Sequence, residues 1–357
     1  MRCLITGGAG FIGTNLAMKI IKDFSEEIWR GGETDLLITD NLSRRGSERN
    51  LKTLEKAFAF SHIIHSPMRE YHFRNYLFKK AEIEDVPSLI HYFKPKVIYH
   101  FAAQVAVTDS VTSPKRDFDI NAKGTLGVVL AAKDVGAKVI YTSTNKVFGG
   151  NVNKLPLREY GTRWDFQGEL KGKGINEDFS IDSSHHTPYG ISKLVGEMYV
   201  REYGGIANRC SCMYGPHQNG VVDQGWLSHI AKKIIAEEKI TIYGDGKQIR
   251  DVLHSDDAID LFIKQGKAII SQGKEEFQGQ TYNVGGGYEN TISLLELCSM
   301  WGKEREQLNF EDWRPADQKV FYCDISKAQE HFDWKPQIGY KQGIDQLYQW
   351  TKENPHI

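Results

Sequence analysis

A glycine-rich turn set between an apolar run and a helical run constrains this chain more than any other stretch. Cys3–Thr6 reads as a short buried strand, Thr6-Gly7-Gly8-Ala9-Gly10-Phe11-Ile12-Gly13 follows at once, and Thr14–Ile21 repeats apolar residues at helical spacing. A backbone that turns this sharply from strand to helix needs positions without Cβ. Gly7 permits the tight turn, Gly10 lets a pyrophosphate lie against the chain, and Gly13 lets helix and strand pack closely. The free N–H groups and positive dipole end of the helix then face the phosphates. The pattern predicts a dinucleotide site; the plainer alternative is a glycine turn that binds no nucleotide.

Further apolar runs at Leu36–Thr39, Val97–Phe101 and Val139–Thr142 each end in small or polar residues, with helix-like segments between them. At 357 residues the chain exceeds the roughly 100–200 of a typical domain. The expected fold class is α/β, a Rossmann doubly wound parallel sheet with a smaller C-terminal α/β substrate-binding lobe. The Rossmann part is expected over residues 1–185, continued by the helix at Tyr189 and parts of 200–280. The substrate lobe is drawn discontinuously from 210–357, where Ile240–Tyr243, Thr281–Val284 and Leu294–Met300 mix short strands and helices. The polar stretch 150–185, with Gly168–Gly174 at its centre, is expected as a mobile surface insertion that covers the site. Residues 264–280 read as a polar connection.

Basic and acidic side chains number 45 and 46, so no long-range field gathers nucleic acid or an anionic membrane, and an anionic ligand needs a local site. The five cysteines show neither zinc spacing nor a C-x-x-C pair, as expected of reduced, cytoplasmic thiols; no metal is expected. Cys210 and Cys212 read as strand packing residues. No run approaches the roughly 18 apolar residues of a membrane helix.

Asp40 closes the second strand, where a carboxylate accepts hydrogen bonds from the adenosine ribose hydroxyls and repels a 2′-phosphate, favouring NAD. It lies 27 positions beyond Gly13, and Arg44 and Arg45 follow closely enough to receive a phosphate, so NADP stays an alternative on these residues. Farther on, Thr187-Pro188 supplies an N-cap and a first helical residue, which places Tyr189 and Lys193 four apart on one helix face. Oxidising a sugar alcohol needs a base near neutral pH, and an ammonium beside a phenol favours the phenolate over its ordinary pKa of about 10. Thr144, just past the strand Val139–Thr142, is positioned to bond the reacting oxygen. Alone, Y-x-x-x-K is a solvated helix face; coupled to the glycine turn, it reads as an acid–base pair.

Together, T-G-x-x-G-x-x-G at 6–13, His100-Phe101-Ala102-Ala103-Gln104, Asn121-x-x-Gly124-Thr125 and Y-x-x-x-K resemble the extended short-chain dehydrogenase/reductase family over nearly the whole chain. Asp40-Asn41-Leu42-Ser43-Arg44, Ser143-Thr144-Asn145-Lys146-Val147-Phe148-Gly149, Asp223-Gln224-Gly225-Trp226 and Gly246–His254 resemble its branch that epimerises CDP-linked sugars at C2. The resemblance implies an NAD-dependent epimerase with Thr144, Tyr189 and Lys193 as the catalytic group. It implies cofactor contacts at Gly7, Gly10, Phe11, Ile12, Gly13, Asp40, Asn41, Ser43, Arg44, Glu82, Ile83, Ala102, Ala103, Gln104 and Ser143, besides Tyr189 and Lys193. It implies substrate contacts at Asn145, Gln224, Arg250, Arg314 and Asp317, and a homodimer or homotetramer. Two departures stand out. Glu82-Ile83 replaces an Asp-Ile or Asp-Leu pair at the adenine, and Asn145-Lys146 replaces the Asp-Glu pair with which the related 4,6-dehydratases eliminate water. A UDP-hexose 4-epimerase, a net nicotinamide oxidoreductase and a non-catalytic NAD-binding regulator are the competing readings.

Overall fold

Most strands of the central sheet read as unbroken apolar runs because helices cover both of its faces. Seven strands are parallel: β1 (Cys3–Thr6), β2 (Leu36–Asp40), β3 (Tyr76–Lys80), β4 (Val97–His100), β5 (Lys138–Thr144), β6 (Ile206–Cys210) and β7 (Thr281–Val284). The computed structural model describes residues 2–26, 36–58, 64–66, 70–73, 76–182, 184–271, 275–314 and 317–355. The strands lie in the order β7-β6-β5-β4-β1-β2-β3, and Glu70–Phe73 and Ile64–Ser66 add two antiparallel strands beyond β3.

Alternate residues of one strand serve opposite cores. Cys3 and Ile5, Leu36 and Ile38, and Val97 and Tyr99 pack with Leu16, Ile20, Ile259 and Phe262 of the helices Phe11–Glu26 and Ser255–Ile269. Leu4, Leu37, Ile98 and Val139 pack with Ile90, Val128 and Val200 of the helices Val86–Phe93, Gly124–Val135 and Pro188–Glu202. Each such fully buried aliphatic contributes about 1.5–3 kcal/mol.

The chain steps from β1 outward to β2 and β3, then returns to place β4 on the other side of β1, so a crevice opens at this reversal. Thr6 is in register with both Thr39 and His100, and the loops after β1, β2 and β4 therefore leave the sheet at one level.

From β6 the chain passes through Ser211 directly into a second, smaller sheet of Cys212–Tyr214, Ile249–His254, Thr291–Ser293 and Val320–Phe321. Tyr214, Leu227, Ile230, Ile344 and Leu347 form a core of its own beneath the helices Trp226–Ile235 and Tyr340–Glu353. No helix of the described residues is long and apolar enough to cross a membrane.

Two segments differ from expectation. Residues 150–182 are docked, not a surface excursion: a hairpin joins Leu157–Tyr160 to Arg163–Phe166, and Phe166 and Ile175 are fully buried. Arg163 pairs with Glu296, Trp164 Nε1 donates to Asp245 at 2.7 Å, and the Tyr322 hydroxyl donates to Asp165 at 2.9 Å. Gly168, Glu169, Lys171, Gly172 and Lys173, which made the stretch look solvated, are indeed exposed, and Arg163, Trp164 and Asp165 of the hairpin before them do the fastening. Likewise, the start of 264–280 is still helix, and Gln265 is polar but buried because it exchanges two hydrogen bonds with Asn208, at 2.8 and 2.7 Å. Residues 272–274 lie outside the described residues.

Candidate active site

The glycine turn is as tight as its composition requires. Gly7 takes φ 67°, and a Cβ there would lie 2.7 Å from the Ala102 amide nitrogen. A Cβ on Gly13 would lie 2.3 Å from the Gly7 carbonyl oxygen. The Gly10 N–H donates to that same carbonyl at 3.0 Å, and Thr14 N–H donates to Gly10 at 2.9 Å to begin the helix. This is a cradle that any side chain would fill.

Asp40 braces the cradle, its carboxylate accepting from Ala9 N–H at 3.0 Å and Leu42 N–H at 2.8 Å. Burial pushes its pKa up, and these N–H groups and Arg44 act against that. Asn41 accepts from Ser43 N–H and Oγ, at 3.0 and 2.7 Å, and donates to Glu82 Oε2 at 2.8 Å. The longer acid at position 82 is therefore tethered to the loop after β2. Arg44 donates to the Gln224 side-chain oxygen, joining the loop after β2 to the segment before Trp226.

Beyond β4, His100 sits fully buried between Thr6 Oγ1 (2.6 Å) and Thr125 Oγ1 (3.0 Å), and burial lowers its pKa to about 3, so it is neutral. Gln104 N–H donates to Asn121 Oδ1 at 2.9 Å; Asn121 Nδ2 donates to Asp117 at 3.1 Å and Ser192 Oγ at 3.2 Å. Asn121 thus ties the loop after β4 to the helix that bears Tyr189 and Lys193.

That helix, Pro188–Glu202, starts where Thr187 Oγ1 accepts from Gly190 N–H at 3.1 Å. It approaches the sheet through glycines: a Cβ on Gly190 would meet the Lys146 carbonyl oxygen at 2.7 Å, and one on Gly196 the Tyr141 hydroxyl at 2.6 Å. Ser143 Oγ donates to Glu197 Oε2 at 2.8 Å, and Arg209, buried, pairs with Glu197 at 2.7 Å. The closure brings Tyr189 and Thr144 to line one cavity, where Thr144 acts to lower the Tyr189 pKa. Lys193 Nζ lies 4.2 Å over the centre of the Tyr141 ring.

Here the electrostatics differ from the sequence expectation. Burial raises Tyr189 to about 12, and Lys193 is not among the groups that pull it back; Thr144 and Arg44 are. Burial also lowers Lys193 to about 7, with Cys210, Asp117 and Glu197 opposing. The desolvation that hides the pair exceeds the help one ammonium gives its neighbour.

All of the anticipated cofactor, catalytic and substrate residues line one cavity of 1440 Å³. Also in its lining, Arg250 bonds Asp317 at 2.5 Å, and Arg314 lies 4.1 Å over the Tyr243 ring with Asp223 at 3.9 Å. Burial pushes Asp317 up, but Arg250 and Lys146 outweigh it and hold the carboxyl below its ordinary value. Asn145 Nδ2 reaches Gln318 at 3.5 Å.

None of the described residues of the 150–185 stretch lines the cavity. Residues 217–219 and 222–227 do, on a segment that Asn15 holds at the Pro216 carbonyl (2.8 Å), Asn50 at the His217 carbonyl (3.2 Å) and Arg45 through Asn219 (2.9 Å). Asparagines scattered over two helices and a loop carry no motif, so no local pattern signals this clamp. The sequence marked Lys146 only as a departure from the dehydratase Asp-Glu pair, with no contact assigned to it, and Cys210 and Cys212 only as packing residues; all three line the cavity. Burial raises the Cys210 thiol to about 12, which keeps it protonated.

A sequence profile of the family described as GDP-mannose 4,6 dehydratase matches residues 4–347. The chain belongs to this family. It is thereby a member of the extended short-chain dehydrogenase/reductases. The chain is 35% identical to CDP-paratose 2-epimerase of Salmonella typhi, over 98% of its own length and 99% of the relative's. It is 30% identical to UDP-glucose 4-epimerase of Mycolicibacterium smegmatis, over 96% of each. The crystal structure of UDP-glucuronic acid 4-epimerase from Bacillus cereus, in complex with UDP-glucuronic acid and NAD, superposes with a TM-score of 0.71 at 23% identity, covering 99% and 100% of the two chains.

Proposed function

We propose that this protein is an NAD-dependent nucleotide-sugar epimerase that converts CDP-paratose to CDP-tyvelose by inverting C2. The carrying observation is the Thr144–Tyr189 pair in a cavity where Asn145 and Lys146 stand in place of a dehydratase's acid–base pair. Such a site can move a proton on and off a hydroxyl but lacks the Asp-Glu pair after Thr144 with which a dehydratase eliminates water. The full-length similarity to a CDP-paratose 2-epimerase supports the substrate.

The glycine cradle fits a dinucleotide: Gly7, Gly10 and Gly13 leave room for pyrophosphate, Asp40 and Asn41 for the adenosine ribose, Glu82 and Ile83 for adenine, and Ala102 to Gln104 for the chain between. NAD, when bound, supplies a reversible hydride acceptor, so the sugar passes through a 2-keto state and the cofactor ends each cycle unchanged. Tyr189 takes the proton of the C2 hydroxyl and later returns it. Thr144 holds that oxygen in line, so that orientation and acid–base work are divided between two side chains. Lys193 would hold the nicotinamide ribose, its ammonium donating to the ribose hydroxyls. Arg250, Arg314, Asp317 and Gln224 hold the nucleotide end. The clamp over residues 216–227 keeps cofactor and ketone from separating.

A homodimer is the favoured assembly. Phe118, Ile191 and Met198, each at least half exposed, sit on adjoining helices and present an apolar face a second copy would cover. The 30% identity to a UDP-glucose 4-epimerase favours a second reading, C4 chemistry on a UDP-hexose, because the Thr-Tyr-Lys group does not itself choose the carbon. Incubation with CDP-paratose, without added cofactor, followed by NMR of the sugar H1 and H2 signals, decides between them. Conversion to CDP-tyvelose is expected; an unchanged spectrum alongside turnover of UDP-glucose would replace the first reading with the second.

A further inference from the structure

Lys146 lines the cavity without a task in the hydride chemistry. Its backbone is held on both sides of the reacting pair. The Lys146 N–H donates to Thr144 Oγ1 at 3.2 Å, and its carbonyl occupies the space that Gly190, next to Tyr189, leaves free. Its side chain is half-buried in the electrostatic neighbourhood of Arg250, Asp317 and Cys212. Asp317 is already engaged, by Arg250 at 2.5 Å and by the Gln318 N–H at 2.9 Å. Two cations therefore share one carboxylate, and the Lys146 ammonium has no hydrogen-bonded partner among the described residues. A surplus buried cation is costly until an anion arrives.

We propose that Lys146, with Arg250, grips the sugar-proximal phosphate of the nucleotide diphosphate and so sets which ring carbon reaches Tyr189. The inference rests on reading the cavity as a nucleotide-sugar site. The phosphate is joined through one oxygen to C1 of the sugar; C2 is one bond from C1 and C4 is three. The Lys146 backbone is fastened to Thr144, so a phosphate gripped by its side chain and Arg250 is tethered to the reacting pair by one lysine's length, a register that suits C2 at Tyr189 and leaves C4 beyond it. A carboxylate at this position repels the phosphate and favours the longer register. Lys146 is thus a positioning residue that determines specificity, and Arg250 its partner in binding.

Calorimetric titration of the NAD-loaded protein with CDP and with CMP tests the grip. The wild type is expected to prefer CDP. Lys146→Met should lower CDP affinity by about tenfold or more, the worth of one charge-assisted hydrogen bond, and leave CMP unchanged. An unchanged CDP-to-CMP ratio in Lys146→Met overturns the proposal. Lys146→Arg keeps the charge at a different distance, and should retain the CDP preference while lowering kcat at saturating nucleotide sugar. A wild-type kcat in that variant overturns the role in register. Bound NAD, counted after denaturation, shows that each variant has folded, and Lys146→Gln replaces any that has not. If the wild type turns over no CDP-sugar, the proposed function fails, while the same diphosphate-to-monophosphate comparison with UDP and UMP still judges Lys146.

Discussion

Tyr189 and Lys193 carry opposite shifts from one cause. Burial makes the phenol a weaker acid, near 12, and the ammonium a stronger one, near 7. The pair is therefore poorly charged on its own. Tyr189→Phe should lower kcat by about 10²–10⁴-fold, the usual range for a lost acid–base group, with bound NAD unchanged; a variant that turns over at the wild-type rate would remove Tyr189 from the reaction. Lys193 also marks a stability cost. Its folded pKa of about 7 lies below the ordinary 10.5, so between those values the unfolded chain binds the extra proton and stability rises with pH. Lys193→Met should then melt above the wild type at pH 7, and the gap should close as pH approaches 10.5. Thermal denaturation across that range checks it, and a gap that widens with pH contradicts it.

The helix Pro188–Glu202 does several jobs with different faces. Tyr189 and Lys193 face the cavity, Ser192 bonds the Asp117–Asn121 network, Gly196 meets Tyr141, and Glu197 joins Ser143 to Arg209. Glu197→Ala leaves the Arg209 guanidinium buried without its carboxylate and should cost about 3–5 kcal/mol in urea denaturation. A loss below 1 kcal/mol, on the order of an exposed pair, would show that the pair does not anchor the helix. The first helix is equally constrained at its start. Gly13→Ala puts a methyl group 2.3 Å from the Gly7 carbonyl, so the turn must open and the purified protein should carry little NAD.

The apolar face of Phe118, Ile191 and Met198 belongs to the molecule as a whole, since two helices separated by some 70 positions in the chain, Pro114–Phe118 and Pro188–Glu202, build it together. Light scattering should give twice the chain mass for the wild type and the single mass for the Ile191→Glu, Met198→Glu double variant; a monomeric wild type would refute the assembly. At this scale the limits of sequence reading also show. The glycine turn, the runs that became β1, β2, β4 and β5, and the four-residue spacing of Tyr189 and Lys193 were legible because each depends on local geometry: absent Cβ atoms, two-sided burial, one helix face. The place of 150–182 in the body, the helical run past Lys264 and the asparagine clamp over 216–227 were not, because their polar residues are satisfied by partners more than 50 positions away. The same holds for charge. Sequence alone determined which groups could ionise at the site, but only the tertiary structure decided how far burial shifts them, because desolvation depends on everything packed around a residue and on none of its neighbours in the chain alone.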